Sequence, residues 1–220
     1  MGHKDIYLLL KEIVPNVSTF PSRSDYYEAI PSHLSASEQV VLCKEAFNYL
    51  VALYLSTNYD VEYKSDEILS VKREEDMIKA SILHCQPNAD EIYSSSAIVG
   101  IKAELRNMLN LFKERFSEII KPDSKITIRP VYKEYENLFG EPMSICCVDE
   151  CIYFIHSYGG MKYSWLEVAQ LILEFYISNS LNKRCRAIAI YKSTYGVVER
   201  YYPVYDKQSN LADYLRRLIR

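Results

Sequence analysis

Glycine is scarce in this 220-residue chain, which has only Gly2, Gly100, Gly140, Gly159, Gly160 and Gly196. These cannot compose G-x-G-x-x-G or G-x-x-x-x-G-K-[ST], and close backbone approach to a pyrophosphate needs glycines at those spacings. Their placement argues against P-loop and Rossmann nucleotide chemistry, and no G-x-S-x-G nucleophile elbow is present. A long hydrophobic run is missing too. The most apolar stretch, Val40 to Leu55, is interrupted by Lys44, Glu45 and Asn48, too short and too polar to span a bilayer. The short apolar run Ile6 to Leu10 lies between charges and lacks a small-residue cleavage site, unlike a signal peptide. Gly2 makes no myristoylation signal, because that pattern wants Ser or Thr where Ile6 stands. The expectation is a soluble, cytoplasmic protein with no membrane partner and no cofactor.

What is present can bury a sizeable core, since 49 % of the residues are hydrophobic and 25 % are charged. Six cysteines stand at 43, 85, 146, 147, 151 and 185. An even count suits disulfides, but without a secretory signal free buried thiols are the expectation.

Charge is divided unevenly. From Lys183 to Arg220 nine cations face only Glu199, Asp206 and Asp213, a local net charge of +6. The whole chain sums to −3, so residues 1–182 carry −9. Tyr191, Tyr195, Tyr201, Tyr202, Tyr205 and Tyr214 are interleaved with those cations. Cations attract phosphate and aromatic faces stack on bases, so the segment is a nucleic-acid cue. Lys183, Arg184, Arg186, Lys192 and Arg200 are the expected phosphate contacts. An ordinary hairpin followed by a cation-tipped helix reads the same way, since Arg216, Arg217 and Arg220 would complement a helix C-terminus.

Hydrophobic periodicity makes the first half mainly helical. Ile6, Leu9, Leu10 and Ile13 share a helical face before Pro15. Ser35 to Glu38 is a capping box opening a helix to about Thr57 that is apolar on most of its circumference. Asp60 to Lys64 suits a short strand, Lys72 to His84 a charged helix, and Asn88 to Glu91 a second capping box. The series Ile101, Leu105, Met108, Phe112, Phe116, Ile119 predicts a long amphipathic helix ending near Lys121.

The second half changes texture. Lys125 to Arg129 alternates like a strand. Met143–Val148 and Cys151–Ser157 suit a hairpin about Asp149-Glu150, followed after a third capping box at Ser164 by a helix to about Ile177. Arg186–Lys192 and Val197–Tyr202 suit a second hairpin, closed by a helix from Asn210 to Ile219. The fold class expected is α+β: a mainly helical part, residues 1–121, then a part, 122–220, with two β-hairpins each followed by a helix. The alternative reading is one continuous domain, and strands grouped apart from helices argue against βαβ alternation.

Three constellations invite chemistry. Cys146, Cys147, Cys151 and His156 include a C-x₃-C spacing suited to zinc. With a two-residue turn, however, Val148 faces Cys151 and Cys147 faces Ile152, so the ligands point to opposite sides of the sheet. A nucleophilic Cys147 beside His156 would sit among Ile145, Ile152 and Phe154, where a thiol stays protonated. Glu62-Tyr63-Lys64 matches the E-x-K half of a metal-dependent nuclease site, but what precedes it reads as helix rather than the aspartate-bearing strand such a site needs. No catalytic, metal or cofactor residue is therefore assigned. By elimination the expected function is a non-catalytic interaction or regulatory subunit working through protein–protein contacts or self-association, its opposed charges orienting it between partners. The alternative is a nucleic-acid-binding accessory protein using residues 183–220. The twenty tyrosines suit interfaces.

Overall fold

The computed structural model describes residues 37–63, 71–128, 144–156, 165–181, 184–206 and 210–213, with Lys11, Leu34 and Gln208 as isolated positions. The expected helix at 6–13 apart from Lys11, the capping residues Ser35 and Ser164, and the chain beyond 213 lie outside them.

Helix α1, Ser37–Asn58, buries Leu42, Cys43, Ala46, Phe47, Tyr49 through Leu53, and Leu55. A helix apolar on nearly every side has to be surrounded. By length and composition alone its 22 residues would also pass for a membrane span. In the fold its side chains pack with those of α2, Glu74–Cys85, and α4, Ser95–Ile119. The acidic first turn of α2 has a job besides complementing the helix dipole: Glu74 pairs with Lys113 and Glu75 with Arg106, both on α4. His84, in the last turn of α2, stacks on Tyr49 with ring centroids 3.8 Å apart.

Between them lies one short turn of helix, α3, Ala89–Ile92. Asn88 precedes it with φ −103° and ψ 29° and makes no side-chain capping bond, so the expected capping box does not form there. The cap falls six residues later, where Ser94 Oγ accepts the Ala97 N–H at 3.3 Å. Helix α4 then runs 25 residues, roughly 37 Å at about 1.5 Å per residue. It stops just short of Pro122, which drives the preceding Lys121 out of the helical region; Ile120 is already extended (φ −80°, ψ 120°).

Among the described residues six strands form one mixed sheet in sequential order: β1 (Val61–Tyr63), β2 (Ile126–Ile128), β3 (Ser144–Val148), β4 (Cys151–His156), β5 (Ala187–Lys192) and β6 (Val197–Tyr201). The pairs β1–β2 and β4–β5 are parallel, the others antiparallel. Helix α5, Trp165–Ser180, carries the chain from β4 to β5. That is a βαβ crossover inside an α+β molecule, which grouping the strands apart from the helices does not anticipate. Its signature lies in the runs Cys-Ile-Tyr-Phe-Ile and Ala-Ile-Ala-Ile-Tyr, apolar at every position because both faces are covered.

The pleat divides these residues between two cores. Tyr153, Ile155, Ala189 and Tyr191 join Cys146, Val148 and helices α1, α2 and α4. Ile152, Phe154, Ile188 and Ile190 face the other way onto α5 and the helical residues Leu211 and Ala212. A register irregularity between Ser144 and Cys146 lets Ile145 and Cys146 both enter the first core. Val148 opposes Cys151 and Cys147 opposes Ile152, the register expected of a two-residue turn at Asp149-Glu150. No glycine is present there. Asp149 takes the positive φ, 54°, and its carboxylate accepts the Lys125 N–H at 2.9 Å and the Ser124 hydroxyl at 3.1 Å. Between β5 and β6, Gly196 supplies a φ of 64°, with the Leu111 side chain 3.4 Å from where a Cβ would stand.

Candidate functional site

Helix α4 crosses the sheet from the β5–β6 turn, where Arg115 donates to the Gly196 carbonyl at 3.0 Å, and ends beside the β3–β4 turn. Its early stop leaves a hollow of about 320 Å³ lined by Ile119, Val148, Cys151, Tyr153, Ala187, Arg186, Arg200 and Tyr202, with Asp149 and Glu150 at its edge. The row Ile126, Val148, Cys151, Ala187 crosses four strands in register, and Ile188 opposes Tyr201 on the fifth. One residue beyond that row, Lys125, the Asp149-Glu150 turn and Arg186 line this end of the sheet, with Tyr202 closing the β6 side.

Arg200 is positioned by the wall of the hollow. Its Nη2 donates to the Tyr153 hydroxyl at 2.9 Å, and the Cys151 thiol of the same wall donates to the Ile152 carbonyl at 3.9 Å. Burial pushes the Tyr153 phenol well above its ordinary range. Burial also pushes Cys151 from 9.0 to about 11, against the opposing effects of Tyr153 and Arg200. Both groups are therefore neutral at physiological pH, and the guanidinium is the charged group beside them. One of its five donors is committed, which leaves the others for a ligand. Arg186 pairs with Glu150 but keeps 73 % of its side-chain surface exposed. Arg184 is exposed as well.

Of the residues nominated from sequence as phosphate contacts, Arg186 and Arg200 are brought together here and Arg184 stands nearby in the chain. Lys183 lies outside the described residues. Lys192 does not meet the expectation: it is 1 % exposed, and its Nζ lies 3.4 Å from Glu199 Oε1, inside the protein. The pleat explains the difference, since Lys192 follows Ile188 and Ile190 on the α5 face while Arg200 leaves the opposite face, exposed beyond the end of α4. Sequence reasoning missed Tyr153 and weighed Cys151 only as a metal ligand. Arg200 and Tyr153 are 47 residues apart, and their meeting depends on β4 lying one strand from β6 across β5.

The other constellations gain nothing from the fold. Cys146 is buried in one core and held protonated by burial, while Cys147 packs on the other and its thiol bonds the Asp149 carbonyl at 3.4 Å. The His156 side chain and those of Glu62-Tyr63-Lys64 lie outside the described residues. Among the described residues no three His, Cys, Asp or Glu side chains gather as metal ligands would. Compared with protein-family models, curated proteins and solved structures, the chain matches none.

Proposed function

We propose that the chain is a non-catalytic interaction or regulatory subunit of the cell interior, acting through protein contacts along β6 and the segment that follows it. The observation that carries this is an edge strand running into exposed apolar side chains. Among the described residues no strand pairs with β6 on its far side, and beyond it Tyr202 and Val204 are 72 % and 84 % exposed. Edge strands offer unpaired backbone groups to an extended segment of another chain. The occupant that suits this edge is an extended partner segment with an apolar residue for Val204 and a carboxylate for Arg200. Purified full-length chain, tagged, is expected to retain such a partner that Val204→Asp loses, with both proteins melting alike. Equal retention by the two would sink the idea.

The finer layout belongs to the same proposal: two hairpin–helix units lying side by side through the parallel β4–β5 pair, in one continuous domain with the helical part. Helices before residue 121 and strands after it share a core, so 1–121 and 122–220 expressed separately are expected to stay unfolded. A second reading, a nucleic-acid-binding accessory protein, is favoured by the convergence of Arg186, Arg200 and Tyr202 on one hollow.

A further inference from the structure

We infer that the hollow at the end of α4 is a subsite for single-stranded nucleic acid, in which Arg200 and Arg186 hold a phosphate and Tyr202 stacks on the adjoining base. The inference rests on the second reading of function and names its site and ligand. Across this end of the sheet stand Lys121, Lys125, Arg184, Arg186 and Arg200, all exposed, against Asp123, Asp149 and Glu150. Asp149 is held by the Lys125 N–H and the Ser124 hydroxyl and Glu150 pairs with Arg186, and the five cations exceed the three acids by two. A phosphate thus meets a local excess of cations. Arg200 is preorganised for it, since the Tyr153 bond fixes a planar donor fork that would otherwise have to be ordered on binding.

The aromatic partner decides the form of the ligand. Tyr202 is 72 % exposed at the rim, with an uncovered ring beside the guanidinium. A paired and stacked base in a duplex offers no free face to such a ring, whereas an unpaired base does. A hollow of about 320 Å³ is at the small end for ligand pockets and holds one nucleotide unit, not a helix groove. Its apolar floor of Ile119, Val148 and Ala187 suits the flat face of a base.

Fluorescence anisotropy on the full chain tests this with labelled 12-mers of deoxythymidine and uridine and a duplex of equal length, from 50 to 300 mM salt. Single strands are expected to bind more tightly than duplex, with affinity falling as salt rises. Tyr202→Ala should weaken single-strand binding about 5- to 150-fold, the range for losing one base–aromatic stack, while Tyr202→Phe retains it. Arg200→Gln should weaken it about tenfold and flatten the salt dependence, the salt slope falling by about one phosphate. Wild-type binding that ignores both substitutions would overturn this site and leave the second reading standing. No binding at 50 mM salt would overturn both. Tight, Arg200-dependent binding of a glutamate-rich peptide that displaces the oligonucleotide would assign the hollow to an acidic protein segment instead.

Discussion

Just before β5, Arg186 stands in solvent beside Glu150; at the strand's end, roughly 20 Å away at about 3.3 Å per residue, Lys192 lies inside the protein against Glu199. Both belong to the same basic stretch of sequence. Helix α4 lies on the face opposite Lys192 but distinguishes the two ends of the sheet. It covers the β5–β6 turn, where Ser193 and Thr194 are buried with Lys192, and it has ended by the time the sheet reaches Arg186. The difference teaches that a run of cations is not a surface: burial decides whether each charge is available to a partner or tied into the fold.

The sharpest way to break the comparison is to remove one charge at each end. Lys192→Met leaves the Glu199 carboxylate buried without its cation and is expected to destabilise by about 3–5 kcal/mol, whereas removing the exposed cation by Arg186→Met should cost less than about 1 kcal/mol. Urea unfolding measures both, and the double variant Lys192→Met/Glu199→Leu should recover much of the loss. Near-equal effects at the two ends would mean that Lys192 is solvated in solution.

Alkaline pH probes burial more broadly. Burial raises Cys151 from 9.0 to about 11 and Cys185 from 9.0 to about 12. Above pH 9 the unfolded chain releases thiol protons that the folded chain keeps, so stability falls as pH rises, until each folded thiol also ionises. The loss should reach about 1 kcal/mol per thiol by pH 10, read from urea midpoints at pH 8 and 10. Serine at each position should abolish its share.

At the exposed end, Asp149→Ala should cost about 1–2 kcal/mol, through a positive φ without its local hydrogen bonds. Asp149→Gly should cost less, because glycine removes the conformational part. Smallest in size and opposite in sign is Tyr191→Phe. Tyr191 precedes Lys192 but faces the other core, where its hydroxyl is buried with no hydrogen-bond partner among the described residues. Removing that oxygen is expected to be neutral or to stabilise by up to about 1 kcal/mol, measured by the same urea titration.

Much of the fold is legible in local patterns. The step of four and three from Ile101 to Ile119 marks the buried face of α4, and Pro122 marks its end. The apolar circumference of α1 announces a helix surrounded on all sides. The register about Asp149-Glu150 follows from a two-residue turn, and with it the separation of Cys146 from Cys147. Less was legible at the caps. The sequence reading put a capping box at Asn88, whereas the side-chain cap forms at Ser94. The candidate site was half legible: basic and aromatic composition nominated Arg186, Arg200 and Tyr202 among their neighbours, but equally nominated Lys192.

By itself the sequence determined the quantities set over a few residues: helix faces, the stop at Pro122, strand alternation, and a C-terminal stretch rich in cations and tyrosine. Only the tertiary structure decided which of those cations meet solvent and which aromatic stands beside them. Strand order and helix coverage are set by contacts between residues tens of positions apart. The parallel β4–β5 pairing brings Tyr153 within one strand of Arg200, and no local pattern encodes that neighbour.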